Sequence, residues 1–301
     1  MATQRTIVIV GASLAGLRAA ETLRREGYDE RVVLVGAETH LPYDRPPLSK
    51  ELLAGEWEAE HVALRKQPYD ELDLDMRLGR RATGLDVSAR AVVLDGGETI
   101  AFDGLVVATG SRPRTIPGAP ELDGVFVLRT LDDCLAIRSR LDAAPRVVVI
   151  GAGFIGSEVA ATCRGRGLDV TVLEMLPTPL ARAVGPVVGD ACGRLHREHG
   201  VDLRCGVTVA GFEGHERVAR VWLADGTAFD ADLVVVGVGV APETDWLEGS
   251  GLTLDDGVVC DATCLAAPGV VAAGDVARWP NPLFDGESSA SSTGRTRPSK
   301  A

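Results

Sequence analysis

Short, mainly apolar runs alternate along this chain with longer stretches in which apolar residues return every three or four positions. Residues 7–10 and 31–35, and again 147–150 and 170–173, lack the in-out alternation of a half-exposed strand, so they read as parallel strands covered on both faces. Between the members of each pair lie stretches of helical period, residues 17–25 and 158–166, so the order strand, helix, strand occurs twice. Two further apolar strands, 105–110 and 233–239, end in Gly and are followed by Pro113 and Pro242. Either one alone is no more than a buried strand, but their recurrence at matching places argues for two homologous domains. Residues 207–212 with 218–223, joined around Gly214, read as a β-meander in the second repeat, and 87–94 with 99–102 as its counterpart in the first.

The turns after the first strand of each repeat carry the chemistry. Gly11-Ala-Ser13-Leu-Ala15-Gly16 and Gly151-Ala-Gly153-Phe-Ile155-Gly156 stand 140 positions apart, each between an apolar strand and a helix. In such a turn the first Gly permits the tight bend, the middle position lets backbone approach a pyrophosphate, and the third Gly lets helix pack on strand. The amide-rich helix N-terminus then faces the anion. One copy alone could be a plain strand-to-helix turn; two in the same context point to two dinucleotides on one chain. Glu174 lies 23 residues after Gly151 at the end of the second strand, where a carboxylate accepts from ribose hydroxyls. In the first repeat the matching position is Gly36, so the ribose acid there is Glu38, and Ser13 replaces the middle Gly.

Composition narrows the class. The 301 residues suit two domains, and 46% hydrophobic residues with a mean hydropathy of +0.11 give ample core. A formal charge of −12 and a pI near 4.9 argue against nucleic acid or an anionic membrane as partner. No apolar stretch reaches the length of a membrane span, and the chain reads as cytoplasmic. The six cysteines (134, 163, 192, 205, 260, 264) include no C-x-x-C pair. Cys260 and Cys264, in a segment of strand and turn, have the wrong spacing for a thioredoxin-like couple, so free thiols are expected. Histidines 40, 61, 196, 199 and 215 show no metal-ligand spacing, so no metal is expected; His196 and His199 fall in a polar helical stretch where exposure is the default.

Residues 41–50 stand out between the strands. Pro46 and Pro47 fix backbone angles and remove two donors, stiffening the approach to a short helix that starts near Leu48. Flanked by Arg45 and Lys50, this wall suits a flat, partly anionic ligand; the alternative is a loop with solvated charges and an N-terminal helix proline.

Taken together, Tyr43-Asp-Arg-Pro-Pro-Leu-Ser-Lys50, Ala108-Thr109-Gly110, Leu128-Arg129-Thr130, Gly153-Phe-Ile-Gly-Ser-Glu158 and Ala273-Gly-Asp275 resemble the FAD-dependent ferredoxin reductases of bacterial oxygenase systems. The resemblance runs from about residue 6 to about residue 284. It implies an α/β fold of two Rossmann-like dinucleotide-binding domains, of the FAD/NAD-linked reductase type, with the NAD domain inserted in the FAD domain. The expected boundaries are 1–114 (FAD, first part), 115–241 (NAD) and 242–286 (FAD, second part, incomplete). By this resemblance Gly11, Ser13, Ala15 and Gly16 hold the FAD pyrophosphate, Glu38 its ribose, and the backbone near Ala82 its adenine. Arg45, Pro46, Lys50, Thr109, Gly110 and Arg129 belong to the flavin side, and Asp275 accepts from the ribitol chain. Gly151, Gly153, Ile155, Gly156, Glu174 and Gly239 line the NADH site. Lys50 and Glu158 are the catalytic pair implied, tuning the flavin and steering the nicotinamide; the alternative for them is a structural ion pair.

The implied reaction passes hydride from NADH to FAD, and then single electrons to an iron-sulfur ferredoxin or rubredoxin serving an oxygenase. Hydride transfer needs nicotinamide C4 about 3–3.5 Å from flavin N5, so the protein mainly orients two rings. Two other readings stay open at this point: an NADH oxidase that gives its electrons to oxygen, and a dinucleotide-binding chain with little catalysis. Glu174 implies NADH over NADPH, and on that reasoning Glu174→Arg shifts preference toward NADPH. Residues 287–301 are Ser-rich and apolar-poor and are expected to be disordered. The family pattern continues beyond this point with a flavin-side helix and a further domain, so the expectation is a truncated chain that holds FAD weakly.

Overall fold

The computed structural model describes residues 4–281 and 288–290. The chain opens with β1 (Thr6–Val10), α1 (Leu14–Arg25), β2 (Arg31–Gly36), α2 (Glu51–Ala54) and β3 (Leu74–Leu78). A meander follows, β4 (Ala82–Asp86), β5 (Ala91–Leu94) and β6 (Thr99–Ala101), and then β7 (Gly104–Val107) and β8 (Ser111–Pro113). The middle third contains β9 (Val125–Val127), α3 (Leu131–Leu141), β10 (Val147–Ile150), α4 (Phe154–Gly165), β11 (Val170–Glu174), α5 (Ala181–Glu198) and β12 (Asp202–Cys205). It closes with a second meander, β13 (Val209–Gly214), β14 (Val218–Leu223) and β15 (Ala228–Asp230), and with β16 (Leu233–Val236). The remaining strands are β17 (Val240–Pro242), β18 (Val258–Val259), β19 (Leu265–Ala267), β20 (Val270–Ala272), β21 (Ala277–Pro280) and β22 (Ser288–Ala290).

Two compact units result. The first takes the described residues of Met1–Asp44, Ala63–Arg112 and Ala241–Gly294, and the second those of Arg45–Val62 and Pro113–Val240. The sheet of the first unit runs β19-β20-β7-β1-β2-β3. In it β1 pairs in parallel with β2 (Ile7 opposite Val32) and with β7 (Ile7 opposite Gly104). The second unit repeats this as β12-β11-β10-β16-β9, with Val147 of β10 opposite Val170 on one side and Leu233 on the other. The outer strand beside β7 is β20, late in the chain, whereas the one beside β16 is β9, before the repeat begins.

The mainly apolar strands are explained by what covers them. Alternation along β1 sends Val8 and Val10 into a core with meander residues Leu85, Val92 and Leu94, and Ile9 into a second core with Ala20 and Leu34. Both faces are buried, so no polar position survives between them. In the second unit Val148 and Ile150 likewise share a core with Val221 and Leu223 of the second meander.

The structure departs from the sequence reading in five places. The strand expected at 87–94 is only β5 (Ala91–Leu94), with 87–90 forming the turn after β4, because Asp86 Oδ1 accepts from the Ala89 amide at 2.8 Å and Arg90 takes a left-handed φ of 52°. The short helix expected from Leu48 is a 3₁₀ turn over Pro46–Ser49 that leads into α2. Residues 45–62, expected with the first domain, cluster with the second unit, where Leu48, Leu52 and Leu53 are buried. His196 is half-buried rather than exposed, and burial pushes its pKa down. Of the stretch expected to be disordered, 288–290 form β22, paired antiparallel with β21 through backbone bonds that need no apolar side chains; the rest lies outside the described residues.

Candidate functional site

The two glycine turns are built alike, atom for atom in their main anchors. Gly11 N–H donates to Val35 O at 2.8 Å, and Gly151 N–H to Leu173 O at 2.8 Å, so each turn hangs on the neighbouring parallel strand. The first glycines have φ of 120° and 95°, and a Cβ there would sit 2.0 Å from Ala108 O and 2.4 Å from Gly237 O. The third glycines are equally constrained: a Cβ on Gly16 would lie 1.9 Å from Gly11 O, and one on Gly156 1.9 Å from Gly151 O. No residue with a side chain fits at these four positions.

Helix α1 makes its first i→i−4 bond from Leu17 N–H to Ser13 O, and α4 from Ser157 N–H to Gly153 O, both at 2.9 Å. The amides of 14–16 and of 154–156 therefore precede the helical ladder and carry the positive end of each helix dipole. A Cβ on Gly153 would meet nothing within 4 Å, so the middle of the second turn opens onto free space. Such a backbone cradle, bare of side chains at a helix N-terminus, fits the pyrophosphate of a dinucleotide in each unit.

Around the first turn, a Cβ on Gly11 would lie 2.9 Å from Thr109 N, and one on Gly274 3.0 Å from the Ala15 Cβ, so Thr109 and the Gly274-Asp275 pair are brought to the cradle. Asp275 Oδ2 accepts from Ser111 Oγ at 3.2 Å. Thr109 Oγ1 donates to Glu243 O at 2.8 Å and Gly110 O accepts from Glu243 N–H at 2.9 Å. Glu38 follows β2, its Oε2 accepting from Tyr43 Oη at 2.6 Å. Ala82 stands instead on the meander as the first residue of β4.

The difference at the ends of β2 and β11 has a steric cause. A Cβ at Gly36 would fall 2.6 Å from the Ala12 Cβ, so no side chain can stand there. In the second unit Glu174 occupies that place and is buried, Oε2 accepting from Ala152 N–H at 2.6 Å and Oε1 from Leu176 N–H at 2.7 Å. The carboxylate thus clamps the glycine turn from below, a task that spacing did not reveal. Gly239, with φ of 106°, follows β16 and its carbonyl accepts from Arg114 N–H at 2.9 Å. Ile155, in the first turn of α4, is exposed.

Arg45, Pro46, Lys50, Arg129 and Glu158 come together within the second unit. Arg45 donates to Arg129 O at 2.5 Å, beside the capping box that Thr130 and Asp133 form at the start of α3. Lys50 Nζ donates to Glu158 Oε2 at 3.0 Å. Sequence reasoning missed three residues of this cluster. The hydroxyl of Ser49 donates to the same Glu158 oxygen, Thr162 Oγ1 donates to Ser49 O at 2.7 Å, and Arg166 donates to Leu53 O at 3.2 Å. For two of them the signal was present: Glu158, Thr162 and Arg166 recur every fourth residue, along one face of α4 and onto its C-cap.

The thiols take no part in either turn. All six cysteines are free, and burial pushes the Cys134 and Cys163 thiols up to about 12 and raises those of Cys205 and Cys260. Among the described residues no group of His, Cys, Asp and Glu could hold a metal ion, and no helix is long and apolar enough to cross a membrane.

Residues 5–294 match the profile of the pyridine nucleotide-disulphide oxidoreductases. The chain belongs to that family. Over 283 residues it is 44% identical to the chlorobenzene dioxygenase ferredoxin reductase component of Cupriavidus sp. (strain PS12), covering 93% of this chain and 68% of that protein. It is 39% identical over 288 residues to putidaredoxin reductase of Pseudomonas putida, covering 93% and 68%. The fold superposes with a TM-score of 0.91 on the crystal structure of the covalent putidaredoxin reductase–putidaredoxin complex, at 37% identity over 96% of this chain and 71% of that one.

Proposed function

We propose that the protein is a cytoplasmic flavoprotein reductase that takes hydride from NADH onto FAD and passes electrons singly to a ferredoxin or rubredoxin of an oxygenase system. The observation that carries this reading is the doubled phosphate cradle without a redox-active cysteine pair, which supports an external one-electron acceptor over a disulfide substrate. The similarity to ferredoxin reductase components of dioxygenase systems supports the choice of partner. Six free thiols suit a reducing compartment.

In this reading Gly11, Ser13, Ala15 and Gly16 bind the FAD pyrophosphate through backbone amides, Glu38 its ribose, Ala82 its adenine and Asp275 its ribitol chain. Arg45, Pro46, Lys50, Thr109, Gly110 and Arg129 complete the flavin side. Gly151, Gly153, Ile155 and Gly156 bind the NADH pyrophosphate, Glu174 its ribose, and Gly239 lines the same site. Bound FAD supplies the conversion of a two-electron donor into one-electron steps. Lys50 and Glu158 orient the nicotinamide, and no proton-transferring dyad is required of the chain. The test is NADH-driven cytochrome c reduction by the purified chain supplied with FAD, with and without an added [2Fe–2S] ferredoxin. Turnover that requires the ferredoxin supports the reading; oxygen consumption indifferent to ferredoxin replaces it with an NADH oxidase.

A further inference from the structure

We propose that Ser49 is a positioning residue for NADH binding, fixing one oxygen of the Glu158 carboxylate so that the other meets a hydrogen-bond donor of the nicotinamide. The inference rests on the assignment of the second glycine turn to NADH.

The Lys50–Glu158 pair cannot set this geometry alone. Its side chains are 39% and 35% exposed, and ion pairs of that kind contribute about 0–1 kcal/mol while leaving long side chains several rotamers. Ser49 differs, being 1% exposed. Its single hydroxyl proton has two acceptors within reach, Glu158 Oε2 and, at 3.4 Å, Pro46 O. The shorter, charge-assisted bond to the carboxylate takes the proton.

Ser49 is itself immobilised. Its carbonyl accepts from Thr162 Oγ1 one helical turn beyond Glu158, the adjacent Leu48 carbonyl accepts from Cys134 Sγ at 3.1 Å, and Arg166 holds Leu53 O a turn further along. A hydroxyl on so fixed a backbone defines where Oε2 sits. Lys50 and Ser49 both spend their bonds on Oε2, and among the described residues Oε1 takes none. The carboxylate thus has one anchored oxygen and one presented oxygen, at the fifth residue of the helix whose N-terminus forms the phosphate cradle. The carboxamide is the N–H donor at the nicotinamide end of NADH, and ADP-ribose lacks it while keeping the adenine amine.

The experiment compares NADH with ADP-ribose on the full chain, with dissociation constants read from quenching of intrinsic tryptophan fluorescence. Ser49→Ala is expected to weaken NADH about fivefold, the worth of roughly one net hydrogen bond, and to leave ADP-ribose within about twofold. In a Glu158→Gln background the same substitution is expected to add less than about twofold. An unchanged NADH constant, an equal loss for both ligands, or a full loss in the Glu158→Gln background overturns the proposal. If the unsubstituted chain binds neither ligand, the NADH assignment of the turn falls, and this inference with it.

Discussion

Removing the Glu174 carboxylate is expected to loosen the second glycine turn before it alters any cofactor preference. The buried side chain accepts from Ala152 N–H at 2.6 Å and from Leu176 N–H at 2.7 Å, one amide on each oxygen. Hydrogen bonds to a charged group contribute roughly 1.5–3 kcal/mol each, and water entering at the strand end recovers part of that in Glu174→Ala. The expected net loss is about 2–4 kcal/mol, and since about 1.4 kcal/mol is tenfold, local opening at Ala152 should rise by between one and three orders of magnitude. Glu174→Gln keeps one carbonyl acceptor but turns an N–H toward the other amide, so it should fall between. Hydrogen exchange at the Ala152 amide reads this directly, alongside urea unfolding. The same geometry changes the expectation for Glu174→Arg. A guanidinium can accept from neither amide, so this single substitution should weaken NADH without gaining NADPH. Unchanged exchange at Ala152 in Glu174→Ala, with a stability loss under about 0.5 kcal/mol, would refute the clamp.

Other expectations follow from particular contacts. Gly156→Ala forces a Cβ to within 1.9 Å of a backbone oxygen, so it should cost about 3 kcal/mol or more and abolish NADH binding, measured by unfolding and by fluorescence quenching. Arg24 donates to four carbonyls, those of Tyr28, Glu30, Leu72 and Asp73; the ammonium of Arg24→Lys cannot span them, and thermal unfolding should show a loss of about 2–3 kcal/mol. Arg146 holds the Asp232 carboxyl at about 2, below its ordinary 3.8, so the pair's stabilisation is present above the unfolded pKa and is lost as pH falls through the folded one. Acid unfolding of Asp232→Asn should therefore differ from the parent in stability at neutral pH and converge with it between about pH 4 and pH 2. Cys134 and Cys163, with thiols near 12, should resist iodoacetamide in the native protein, and Cys260→Ser with Cys264→Ser should leave acceptor reduction within about twofold.

The parallel sheets were legible because every strand in their centres is apolar on both faces, and the cradles because four glycines sit where no Cβ fits. The outer strands were not. β3 (Leu-Asp-Met-Arg-Leu) and β12 (Asp-Leu-Arg-Cys) carry charged residues, and β9 and β20 are only three residues long, too short for a period to register. The turn at 87–90 was read as strand because Val87 continues an apolar pattern that Asp86 interrupts through a side chain bond invisible to hydropathy. Glu174 was found from its spacing, yet spacing reports a carboxylate near a ribose position and is silent about the two amides it holds. Ser49 escaped notice for a related reason: its worth comes from Glu158 and Thr162, more than a hundred residues away.

The most direct test of the account is an anaerobic titration of the FAD-supplied chain with NADH in the presence of excess oxidised [2Fe–2S] ferredoxin. Flavin absorbance and the electron paramagnetic resonance signal of reduced ferredoxin are followed together. The account predicts that each NADH consumed reduces two ferredoxins, with visible flavin bleaching whenever ferredoxin is exhausted. Bleaching without any reduced ferredoxin would contradict the assigned acceptor, and a chain whose added FAD is never reduced by NADH would contradict the central claim that one polypeptide brings both dinucleotides into reaction.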